Sequence, residues 1–170
     1  MRIININGPI NAGKTTVSKL LAACLPQKTL FIEVDDLLSD DEQKALGLSV
    51  PEGWRERVTR LDDIIQKEKK LKRFDNIIFA YPMTERLYKQ WKLWEDETTQ
   101  FINVTLAPRL EICMQNRGSR ELCKNEVKRI REMYLQGYHN SEFADLIIDN
   151  SDQTPQETLQ QILLFLEKNN

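Results

Sequence analysis

The chain has 170 residues, of which 41% are hydrophobic and 29% are charged, and this mix excludes a disordered or low-complexity protein. Its formal net charge of −2 argues against a protein that mainly coats nucleic acid, and no apolar run is long enough to span a membrane. Its three cysteines cannot all pair, which favours free thiols in the cytoplasm, and its length is that of one domain over residues 1–170.

Short β-rich runs alternate with longer helical stretches along the whole chain. The isoleucines of Arg2–Asn7 predict the first strand, and apolar residues at helical spacing predict a helix over Lys14–Cys24. The other strands are predicted at residues 29–34, 76–81, 101–107 and 146–149. This repeated order predicts an α/β fold whose sheet is mainly parallel and carries helices on both faces.

The later helices are marked by capping and breaking residues. Ser39 with Glu42 predicts the start of a short helix that ends at Gly47, and a long helix is expected after Gly53. A further helix is predicted with Leu87, Trp91 and Trp94 on one face. Three more are predicted: one from Pro108 to about Arg117, one over residues 122–136, and one that begins after the cap Thr154. Ligands of such a fold bind at the carboxyl ends of the strands, so functional residues should follow strands directly.

A phosphate-binding motif follows the first strand. Residues 8–15, Gly-Pro-Ile-Asn-Ala-Gly-Lys-Thr, fit the pattern G-x-x-x-x-G-K-[ST] at every fixed position. In this pattern the glycines let backbone N–H groups converge on an anion, the lysine reaches the β- and γ-phosphates, and the threonine hydroxyl ligates Mg2+. The alternative is a strand-to-helix turn that binds nothing. The residues expected to contact a nucleoside triphosphate are Gly8, Asn11, Ala12, Gly13, Lys14, Thr15 and Thr16.

The acid that completes such a site is predicted on the second strand, because the third strand ends without a carboxylate. Strand alternation would place Glu33 and Asp35 on one side, with Asp35 at the carboxyl end facing the phosphate loop. Asp35 could accept the proton of an acceptor hydroxyl and hold water on Mg2+. The alternative for Asp35 is a cap on the following turn, which is the role expected for Asp36.

Residues 117–132 carry six basic and three acidic side chains and are predicted to form a lid. Gly118 provides a hinge, and Arg117 and Arg120 could fork onto phosphate oxygens during catalysis. A solvated helix face is the simpler interpretation of the later basic residues Lys124, Lys128 and Arg131.

Large side chains near the strand ends suggest a pocket for a second substrate. Tyr81 and Met83 follow the third strand and, with Trp54, could line an acceptor pocket. Trp91 and Trp94 are expected to pack in the core.

Together these segments resemble the small P-loop kinases of the shikimate-kinase and chloramphenicol-phosphotransferase kind. The similar stretches are residues 6–21, 31–36, 117–120 and 145–157, and residues 81–84 also resemble tunicamycin-resistance-type relatives. The resemblance implies a three-layer P-loop fold with five parallel strands in the order 2-3-1-4-5 and a lid. It also implies that Asp35 contacts the acceptor hydroxyl, that Arg117 and Arg120 act from the lid, and that Asn150 borders the adenine.

The chain departs from shikimate kinases at two places. Glu33-x-Asp35 stands where they carry Asp-x-Asp, and residues 80–82, Ala-Tyr-Pro, replace their glycine triplet, which favours an acceptor other than shikimate. We therefore expect ATP- and Mg2+-dependent phosphoryl transfer to a hydroxyl of a small molecule by a monomer or homodimer. Two alternatives remain open: a nucleotide-binding module whose ATPase activity gates a partner, and a polynucleotide-type kinase.

Overall fold

A five-stranded parallel sheet forms the centre of the computed structural model, which describes residues 1–116 and 121–169. The strands are β1 (Arg2–Asn7), β2 (Thr29–Ile32), β3 (Asn76–Ala80), β4 (Gln100–Leu106) and β5 (Leu146–Ile148). The described helices are α1 (Lys14–Cys24), α2 (Asp40–Ala45), α3 (Val50–Leu71), α4 (Glu85–Lys92), α5 (Leu110–Cys113), α6 (Lys124–Leu135) and α7 (Pro155–Lys168), and a 3-10 helix covers Val34–Leu37. The strand order β2-β3-β1-β4-β5 confirms the prediction.

Helices cover both faces of the sheet, and β1 at its centre is therefore buried on both sides. On one face Ile4 and Ile6 pack with apolar residues of α1 and α7. On the other face Ile3 packs with apolar residues of α3 and with Trp91 of α4. A central strand that is buried on both faces is typical of a parallel sheet between two helical layers, and the predicted α/β architecture is confirmed.

The second strand ends earlier than predicted. β2 stops at Ile32, and the chain turns into the 3-10 helix. The buried guanidinium of Arg57 on α3 fixes this turn, since it donates to the carbonyls of Asp35 at 3.4 Å and Leu38 at 2.6 Å. The strand alternation expected for Glu33 and Asp35 is therefore wrong, although both residues still follow β2.

Several helix boundaries also differ from the prediction. Gly53 lies inside α3, because a capping box of Ser49 and Glu52 begins this helix upstream of it. α5 is a single turn, and Trp94 lies beyond the end of α4. α7 begins as predicted at the Thr154 cap. Over the described ranges, no helix combines the length and apolarity needed to cross a bilayer.

Candidate active site

The phosphate loop between β1 and α1 is shaped by its two glycines. Gly8 has a φ of +136°, and a Cβ placed there would lie 2.5 Å from the carbonyl oxygen of Leu106 on β4. Gly13 occupies the N-cap position of α1 with a φ of +91°. A side chain is thus excluded at Gly8 by contact with β4, and at Gly13 it is disfavoured by the backbone conformation.

Two asparagine side chains hold this loop in place. Asn150, which follows β5, is buried and donates from Nδ2 to the carbonyl of Ala12 at 3.0 Å. Asn11 donates from Nδ2 to the carbonyls of Cys113 at 2.9 Å and Gln115 at 2.8 Å. Both asparagine side chains bond to backbone carbonyls, and Ala12 is fully buried. The polar groups with which this loop can bind a ligand are therefore mainly those of its backbone. Contact of Asn150 with adenine remains a prediction.

The first turn of α1 has the features of an anion site. In the described part of the chain no side chain caps α1 at Gly13, whereas side chains cap α2, α4 and α7. Lys14 donates from Nζ to the carbonyl of Pro9 at 2.7 Å, and Thr15 and Thr16 are exposed. Backbone N–H groups at an uncapped helix start, with a lysine and two hydroxyls beside them, suit phosphate groups.

A cavity of about 480 Å³ opens beside this loop, and several of the predicted site residues meet there. Lys14 and Thr15 line it together with Asp35. Trp54 and Tyr81 form an aromatic wall, with their rings edge to face at a centroid distance of 6.1 Å. The cavity thus joins a phosphate-binding end to a carboxylate and an apolar surface.

The carboxylates that follow β2 have different surroundings. Glu33 forms an ion pair with Lys19 at 3.4 Å. Asp35 is exposed, and among the described residues its carboxylate has no ion-pair partner. Burial raises the pKa of the Tyr81 phenol, which therefore stays a neutral hydroxyl beside them. Asp35 is accordingly the carboxylate of this pair that is available to a ligand.

Met83 and the remaining tryptophans belong to the core and not to this cavity. Met83 is 1% exposed, packs in the apolar cluster beneath α3 and α4 and lines a neighbouring cavity, so its predicted place in an acceptor pocket remains a prediction. Trp91 and Trp94 are buried with stacked rings 4.9 Å apart, as predicted.

α6 and the turn after it contribute lining residues that the sequence analysis missed: Glu126, Arg129, Met133 and Tyr138. Helical spacing could have revealed this face, because Glu126, Arg129 and Met133 follow one another at three and four residues. The other basic residues of this segment are exposed, as expected: Lys124, Lys128 and Arg131. The predicted lid arginines Arg117 and Arg120 lie outside the described residues.

Comparison with known proteins gives the family. The sequence model described as shikimate kinase matches residues 10–167. No curated protein matches the sequence. Shikimate kinase from Aquifex aeolicus shares 25% identity at a TM-score of 0.58, with 99% of this chain and 98% of that chain covered.

Two further solved structures are similar in fold. A gluconokinase from Sinorhizobium meliloti 1021 has a TM-score of 0.66 at 15% identity, with 97% of this chain and 91% of that chain covered. The tunicamycin resistance protein of Deinococcus radiodurans has a TM-score of 0.63 at 18% identity, with 97% and 95% covered. The family match spans nearly the whole chain and includes most of the phosphate loop and all of the cavity lining, and this chain therefore belongs to the shikimate kinase family of small P-loop kinases, enzymes that bind a nucleotide and a small-molecule substrate.

Proposed function

We propose that this protein transfers the γ-phosphoryl group of ATP to a hydroxyl group of a small molecule, with Mg2+ as its cofactor. The observation that carries the proposal is the single cavity in which Lys14 and Thr15 meet Asp35 and the aromatic rings of Trp54 and Tyr81. A module that only binds a nucleotide needs the phosphate loop alone. A carboxylate and an apolar compartment beside that loop suit an acceptor that must be oriented for transfer.

The phosphate loop fits the triphosphate of ATP. The N-terminal amides of α1 and the glycine-shaped backbone of residues 8–13 supply donors, and the ammonium of Lys14 supplies a full charge. We propose that Lys14 exchanges the Pro9 carbonyl for β- and γ-phosphate oxygens. Arg117 and Arg120 of the proposed lid would add charge on the opposite side of the same phosphates.

The donor set also fits a magnesium ion held chiefly by phosphates. No group of three or more His, Cys, Asp or Glu side chains that could cage a metal occurs in the described residues. Mg2+ is usually held by one or two side chains together with substrate phosphates and water, and the Thr15 hydroxyl and the Asp35 carboxylate would supply these side chains. The bound ion would neutralise charge on the phosphate oxygens.

Asp35 is proposed as the general base of the transfer step. Its carboxylate takes the proton of the acceptor hydroxyl while the hydroxyl oxygen forms a bond to the γ-phosphorus. The bond from that phosphorus to the bridging oxygen breaks, and ADP leaves with the electron pair. The hydrogen bond from Arg57 to the Asp35 carbonyl holds the backbone that carries this carboxylate.

The acceptor is proposed to be a compound other than shikimate. Tyr81 fills part of the cavity at the place where shikimate kinases have a glycine triplet, and Trp54 extends the same apolar wall. Arg57 of α3, whose guanidinium lies 5.0 Å from the centre of the Trp54 ring, is buried and bonds to the carbonyl of Leu38 and the side chain of Gln43, which leaves it poorly disposed to bind an acceptor carboxylate.

The proposal is tested by measuring ADP release with ATP, Mg2+ and a panel of hydroxyl-bearing metabolites and antibiotics. A kinase should show acceptor-stimulated release, with one phosphorylated product per ADP detected by mass spectrometry. ADP release that no acceptor stimulates, or that yields no phosphorylated product, would contradict the proposal and favour a nucleotide-binding module.

A further inference from the structure

A second cavity of about 750 Å³ adjoins the active-site cavity. It lies between the start of α4 and the turn that follows α6, and residues 136–143 supply much of its wall. Arg129 and Tyr138 line both cavities, and the floor continues along the chain from Pro82 in the first to Met83 in the second. The two cavities therefore meet at the Arg129 and Tyr138 side chains.

The wall of the second cavity is held by buried hydrogen bonds and stacked rings. Asn7 of β1 accepts a hydrogen bond from the N–H of Met83 at 2.8 Å and donates to the Ser141 hydroxyl at 3.1 Å. The rings of Tyr88 and Phe143 stack with centroids 5.0 Å apart. These contacts join the sheet, α4 and the turn after α6, so the second cavity is preformed and does not require a ligand to shape it.

The described lining of the two cavities is acidic. Five carboxylates line them, which are Glu33, Asp35, Glu85, Glu126 and Glu142. The two basic lining side chains are Lys14, which belongs to the phosphate site, and Arg129. Acids in such a lining that have no cationic partner oppose an anionic acceptor and attract a cationic one.

The acids differ in how far they are already engaged. Glu33 pairs with Lys19 at 3.4 Å, Glu85 pairs with Lys89 at 2.7 Å, and Glu126 accepts from the N–H of Cys123 at 3.0 Å. Arg129 donates to Glu132 at 3.2 Å and so is itself engaged. Among the described residues, the carboxylate of Glu142 in the second cavity has no ion-pair partner. Glu142 is therefore the group there best placed to bind a positive charge.

We infer that the acceptor is an elongated hydroxyl compound with a positively charged amine, which spans both cavities. This inference rests on the proposed function. The reacting hydroxyl lies at Asp35 in the first cavity, the skeleton packs on Trp54 and Tyr81 and passes Tyr138, and the amine lies near Glu142 in the second cavity. Aromatic rings suit such a skeleton because they pack on the apolar faces of sugars and other rings and attract cations.

The inference is tested by calorimetric binding with Mg2+ and a non-hydrolysable ATP analogue present. The probes are glucosamine, glucose and glucuronate, and the β-1,4-linked disaccharides that correspond to each. The amine-bearing disaccharide should bind at least about tenfold more tightly than its neutral counterpart and than glucosamine, because an ion pair and a second ring are gained. Higher salt should reduce that preference.

Two variants locate the effect. Glu142→Gln should remove most of the preference for the amine over the neutral disaccharide, whereas Glu167→Gln, an exposed change on α7, should leave it intact. The inference is overturned if a neutral or carboxylate probe binds as tightly as the amine, if one ring binds as tightly as two, if no probe binds, or if Glu142→Gln has no effect. Measurement of ADP release tests the proposed function separately. Turnover with a compact or anionic acceptor would support phosphoryl transfer but would refute this inference about the acceptor.

Discussion

Lys14 begins α1 directly after the phosphate loop, and its ammonium donates to the loop carbonyl of Pro9. We therefore expect Lys14→Ala to abolish turnover without unfolding the protein, because the charge serves phosphate oxygens. Circular dichroism should be unchanged, and the stabilisation by ATP in thermal melts should fall sharply. A variant that unfolds, or one that keeps the native response to ATP, would contradict this role.

Gly8 is constrained by its neighbour on β4 as well as by its own backbone. Gly8→Ala should lower the free energy of unfolding by about 1–3 kcal/mol, because the added Cβ meets the Leu106 carbonyl in addition to the strained φ. Gly47→Ala is the matched control, since Gly47 also has a positive φ but has open space around it. Urea unfolding should show a larger loss for Gly8→Ala, and equal losses would show that the contact is unimportant.

At the scale of elements, the proposed lid is the segment that should respond to nucleotide. Hydrogen exchange across residues 117–132 should slow when an ATP analogue and Mg2+ are added, because Arg117 and Arg120 would order the segment on the phosphates. Peptides from α7, which packs against α1 and lines neither cavity, provide the internal control. An equal exchange rate across residues 117–132 with and without ligand would contradict the proposed lid and indicate a solvated surface segment.

Sequence patterns predicted elements well where local signals agree with packing. β1, α1 and the start of α7 are predicted at their observed positions, because apolar spacing and caps mark them. The end of β2 is not, since the turn at Val34–Leu37 depends on hydrogen bonds from Arg57, a residue distant in sequence. α5 is a single turn and is shorter than its local sequence suggests.

At the scale of the whole molecule, the parallel sheet brings the ends of its strands to one edge. Residues that follow β1, β2 and β3 therefore share a cavity, among them Lys14, Asp35 and Tyr81. This agrees with the expectation that ligands bind at the carboxyl ends of parallel strands. The contributions of Arg129 and Tyr138 could not be predicted in this way, because they depend on how α6 packs over the sheet edge. The second cavity, between α4 and the turn after α6, is likewise a product of tertiary packing.

The central claim, that this site catalyses phosphoryl transfer, is tested most directly by comparing Asp35→Asn with Asp36→Asn. Both residues are exposed in the same 3-10 helix, but only Asp35 lines the cavity. Single-turnover kinetics with a phosphorylated acceptor as readout should show a loss of about a hundredfold or more for Asp35→Asn, the usual worth of a general base, while ATP binding weakens little. Asp36→Asn should react at close to the wild-type rate. Near-normal phosphorylation by Asp35→Asn, or a large loss with Asp36→Asn, would contradict the account.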